Sequence, residues 1–180
     1  DPSQPGGCGL GTPNRPYRTL SKALSVSGTG DTVFLTAGTY QDGEVWPASD
    51  GDFPPTITPN VPDGVTIEGQ SASTVIVKGP GETSGRSALV FANSATVRNL
   101  SVQEFDRALV HVYTDQGASG NLLLENLNVV LNFDGLLDFG AESVVIRNSK
   151  FDLNGSSTNG SGIFAGSYSV VIEGTTLTQN

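Results

Sequence analysis

Apolar and polar residues alternate along this chain in short bursts, and the bursts recur. "VTIEG" (65–69), "ATVRN" (95–99), "LLLEN" (122–126), "VVIRN" (144–148) and "VVIEG" (170–174) share one signature: apolar positions, a charge, then Asn or Gly. Their last residues are 30, 27, 22 and 26 positions apart. "VFLTAGTY" (33–40) is an earlier, weaker copy, read as a first strand. Period-two alternation over so few residues predicts half-buried strands. A second short strand follows the signature, ending at Val102, Val129, Phe151 or Leu177. A third follows in four copies: "ALVFA" (88–92), "ALVHV" (108–112), "GLLDF" (135–139) and "GIFAG" (162–166).

A unit of 22–30 residues with three strands cannot bury its own apolar face, but stacked copies can. Successive copies then pair in parallel at about 4.8 Å per coil. The expected architecture is all-β: a parallel β-helix of about six coils. Stacking predicts columns. The charge position runs Glu68, Arg98, Glu125, Arg147, Glu173, with alternating sign. Outward-facing and one above another, these side chains form a ladder of pairs that fixes register. The next column is Gly69, Asn99, Asn126, Asn148, Gly174, and a second Asn column is Asn132, Asn154, Asn180. Asn tolerates left-handed backbone and bonds neighbouring main chain, so both columns read as turn scaffolding rather than catalytic amides.

These columns resemble the asparagine ladders and apolar rungs of the right-handed parallel β-helix proteins, the pectate-lyase-like superfamily. The stretch "RPYRTLSKALSVSGTGDTVFLTAGTY" (15–40) resembles the segment that opens many bacterial, secreted members. Leu20, Ala23 and Leu24 lie on one face of a two-turn helix, and "GTGDT" stops it. The resemblance implies that this helix caps the open end of the first coil. It implies the fold and not the function, since the superfamily holds lyases, hydrolases, epimerases, adhesins, phage spikes and structural parts.

The whole chain, 1–180, reads as a single domain. Residues 1–14 form a flexible arm, 15–40 the capping helix and first strand, 41–64 a Pro-, Asp- and Gly-rich loop insertion, and 65–180 regular coils with an incomplete last one. The formal charge of −9 and pI near 4.3 exclude a phosphate-binding surface, hence nucleic acid. No apolar stretch is long enough to span a membrane. There is no Met, so a processed or excised chain is expected, with removal of a secretory signal the simplest route and an extracellular location the consequence. Cys8 stands alone and is free or pairs between molecules.

Candidate chemistry gathers on the third strands. Polar residues favour the outside, so Val110 and Val112 are expected to face inward with Leu137 and Phe139. His111 and Asp138 then become surface neighbours, one coil apart. Just before them Asp106, Asp134 and Ser161 are expected to stack. Carboxylates about 5 Å apart repel unless a cation or Arg107 lies between them. Two functional readings follow for this acidic patch. Asp106 and Asp134 hold Ca²⁺, or Asp134, Asp138 and His111 act on a glycosidic bond, with Trp46 and Arg107 contacting the sugar. A solvated acidic face is the plain alternative. "NFDG" (132–135) resembles the Asn-x-Asp motif of the polygalacturonase branch, but that branch's paired Asp, Gly-His and Arg-x-Lys are missing. Two apolar columns are expected to face outward under some cover: Leu89, Leu109, Leu136, Ile163 and Thr66, Thr96, Leu123, Val145, Val171.

Short loops and only nine Lys and Arg favour a non-catalytic extracellular module for assembly or surface display. Its partners are other copies of itself or further coils of a longer chain, because Asn180 aligns with Asn132 and Asn154, ahead of a third strand. The alternative is a polysaccharide-acting lyase or glycoside hydrolase, or a fragment of one.

Overall fold

The structure is a computed structural model that describes residues 11–41, 58–81, 84–112, 120–155 and 160–180. Helix α1 (Leu20–Leu24) precedes three parallel sheets. The first sheet stacks β1 (Thr32–Leu35), β3 (Val65–Gly69), β6 (Ala95–Arg98), β9 (Asn121–Glu125), β12 (Ser143–Arg147) and β15 (Ser169–Glu173). The second stacks β2 (Gly38–Tyr40), β4 (Val75–Lys78), β7 (Ser101–Gln103), β10 (Asn128–Val130), β13 (Lys150–Asp152) and β16 (Thr176–Thr178). The third holds β5 (Ser87–Phe91), β8 (Arg107–His111), β11 (Asp134–Asp138) and β14 (Ser161–Ala165). The chain visits the sheets in rotation, and each turn pairs in parallel with the next. This is a right-handed parallel β-helix of six coils.

The helix is shorter than two turns. Thr19 caps it, accepting a hydrogen bond from the Lys22 N–H at 3.3 Å. Leu20 and Leu24 are buried at its core-facing side. "VFLTAGTY" is two strands, β1 and β2, because the chain turns at Thr36–Ala37. The sequence reading also missed β4, which follows the longer turn 70–74 rather than the tight Asn corner of later coils.

The interior is a continuous stack. Ile67, Val97, Leu124 and Ile146 from the first sheet and Val77, Val102, Val129 and Phe151 from the second are fully buried. Glu68, Arg98, Glu125, Arg147 and Glu173 lie in register on the outer face. Arg98 Nη2 is 2.8 Å from Glu68 Oε2, and Arg147 Nε is 2.9 Å from Glu173 Oε2. The half-buried column Thr66, Thr96, Leu123, Val145, ending in the exposed Val171, also stands in register.

The third sheet reverses the expected facing. Leu89, Leu109 and Leu136 belong to the central core, and Ile163 packs against it. Val90, Val110 and Leu137 form a separate buried cluster instead, with Val112 and Phe139 against it. The ladder explains the reversal: pairing skips Ala88, Ala108, Gly135 and Gly162, and this break shifts the alternation by one residue. The strand face turned from the core is covered as well. Asn60 and Val61 run along the edge of β5, both donating N–H to the Val90 carbonyl at 3.1 Å.

Candidate functional site

The candidate residues sit at the two ends of the third-sheet strands. At the C-terminal end, His111 is in register with Phe91 below and Asp138 above. Neither His111 nor Asp138 is on the surface, which corrects the expectation: both side chains are 0% exposed. The shifted alternation turns them inward with Leu109 and Leu136, residues i and i+2 along the strand. His111 Nδ1 lies 3.4 Å from Asp138 Oδ1, a close polar contact too long for a good hydrogen bond.

Asp138 closes the turn after β11. Its Oδ1 accepts the N–H groups of Gly140 (3.3 Å) and Ala141 (3.0 Å), and its Oδ2 accepts the Gly166 N–H (3.1 Å) and the Ser167 hydroxyl. Burial pushes its carboxyl up, but His111, Ser167 and the two turn N–H groups outweigh burial and hold it at about 2. It is an ionised staple joining three coils: its own, that of His111 and that of Gly166 and Ser167.

At the N-terminal end, the register aligns Arg107, not Asp106, with Asp134 and Ser161. The expected carboxylate column is therefore interrupted by a cation. Arg107 Nη1 is 3.0 Å from Asp106 Oδ2. Asp134 is 7% exposed, and its Oδ1 accepts both the N–H and the hydroxyl of Ser161 at 2.9 Å. Burial raises the Asp134 carboxyl above its ordinary range, against the lowering pull of Ser161 and Arg107. Asp106 is raised too, by burial first, with Arg107 opposing and Asp134 adding. Asp134 and Asp138 are four residues apart on β11, about 13 Å at strand rise. Among the described residues, no group of three or more His, Cys, Asp or Glu converges on one point. Trp46 and Cys8 lie outside the described residues.

Both Asn columns are built as scaffolding. Asn99, Asn126 and Asn148 hold φ of 60°, 51° and 48°, and Asn126 Nδ2 donates to Asn99 Oδ1 at 3.1 Å. The column begins with Gly69 because a Cβ there would lie 2.2 Å from the Asn99 carbonyl oxygen. In the second column the left-handed residue is the one before each Asn: Leu131, Leu153 and Gln179, with φ of 56°, 53° and 52°. That corner swings Asn132 and Asn154 inward, where they are fully buried. Asn132 Nδ2 donates to Asn154 Oδ1 (2.9 Å), and Asn154 Nδ2 to Asn180 Oδ1 (3.1 Å). Ser161 stands in register with Asp134, as the column predicts, and is its hydrogen-bond partner. Ser167, the partner of Asp138, is the residue the pattern does not mark, because it lies in a turn that no repeat position aligns.

The sequence profile of the family described as "Protein of unknown function (DUF1565)" matches residues 6–179. The chain belongs to the DUF1565 family. No curated protein and no solved structure matches it. For this DUF1565 member, function has to be argued from the solenoid itself.

Proposed function

We propose that this DUF1565 protein is a non-catalytic, extracellular β-helix module of the pectate-lyase-like superfamily, serving in assembly or surface display. One observation carries the reading: the acid–base groups of the third sheet are committed inside the fold. Asp138 accepts four hydrogen bonds and His111 is sealed beside it. Asp134 is bonded to Ser161, and Asp106 is paired with Arg107. A general acid or base has to reach the substrate atom it serves. Glycosidase carboxylates also stand roughly 5–9.5 Å apart, whereas strand rise separates Asp134 from Asp138 by about 13 Å. The calcium reading weakens for a related reason: Arg107 already supplies positive charge beside Asp106 and Asp134. The extracellular setting rests on the superfamily resemblance.

The test is incubation with a panel of acidic polysaccharides, with and without calcium, reading new reducing ends and unsaturated sugar ends. No turnover is expected. Turnover lost in Asp134→Asn would overturn the proposal in favour of a polysaccharide-acting enzyme.

A further inference from the structure

We draw no further inference here: the strongest candidate, the buried side-chain cluster of His111, Asp138 and Ser167 at the C-terminal end of the third sheet, belongs to the site already described and is closed by its own contacts.

Discussion

His111 Nδ1 lies 3.4 Å from Asp138 Oδ1, and neither side chain reaches solvent. The contact crosses one coil, and Asp138 reaches the next through Gly166 and Ser167. Its folded pKa of about 2 lies below the ordinary 3.8. A depressed carboxylate contributes stability above its unfolded pKa and loses it as pH falls through the folded value. The window is therefore about pH 4 down to about pH 2, and the contribution is about 2 kcal/mol. Asp138→Asn is expected to cost about 2 kcal/mol at neutral pH and to flatten that acid limb. Urea midpoints from pH 2 to 7 check this; a parallel acid limb in the variant would assign the loss to other carboxylates.

Arg107, one of the two groups able to relieve the repulsion of the carboxylates, is in register with Asp134 and 3.0 Å from Asp106. Wild-type melting is expected not to change with millimolar calcium. Arg107→Ala is expected to destabilise by about 1–3 kcal/mol at neutral pH. The two acids titrate above 3.8, so their burial costs stability as pH rises through that range, and the cost shrinks as they protonate. The Arg107→Ala deficit is therefore smaller near pH 4 than at pH 7. A calcium-dependent rise in wild-type melting that Asp134→Asn abolishes would restore the metal reading.

The charge column predicts a salt-sensitive variant. Arg98 contacts Glu68 at 2.8 Å and stands beside Glu125 in register. Arg98→Glu sets three Glu in consecutive coils. A loss of about 1 kcal/mol is expected at low ionic strength, shrinking in high salt. Guanidinium is itself a salt, so urea titrations at two salt concentrations are the measurement. A salt-independent loss would mean that Arg98 acts through its packed stem instead.

The coils were legible because they repeat: a charge and an Asn at fixed offsets located the first-sheet strands and both ladders before any contact was known. The third-sheet facing was not. Alternation gives a strand two faces but does not name the inner one, and "ALVHV" reads equally well either way. The break at Ala108 decides it, and nothing in one strand's own sequence marks a skipped pairing. A buried His–Asp contact also runs against the rule that charges stay outside. Asp138 is tolerated there because turn N–H groups of Gly140 and Gly166 converge on it, and these come from loops the repeat does not align.

The Asn ladder and the corner beside it predict opposite effects at adjacent positions. Asn154 is fully buried, accepts from Asn132 N and Nδ2, and donates to Val129 O and Asn180 Oδ1. Asn154→Ala strips partners from buried polar groups on both neighbouring coils, and a loss of about 2–4 kcal/mol is expected. Leu153, one residue earlier, holds φ of 53° and is 43% exposed. A γ-branched side chain gains little there and carries the left-handed cost of about 1–2 kcal/mol, which Asn largely avoids. Leu153→Asn is therefore expected to stabilise by about 0.5–1 kcal/mol. Urea unfolding of both variants, at constant m-value, measures the pair. If Leu153→Asn instead destabilises, the Leu153 side chain is held by a contact worth more than the backbone strain, and the exposed corner of the second sheet is an occupied surface in solution.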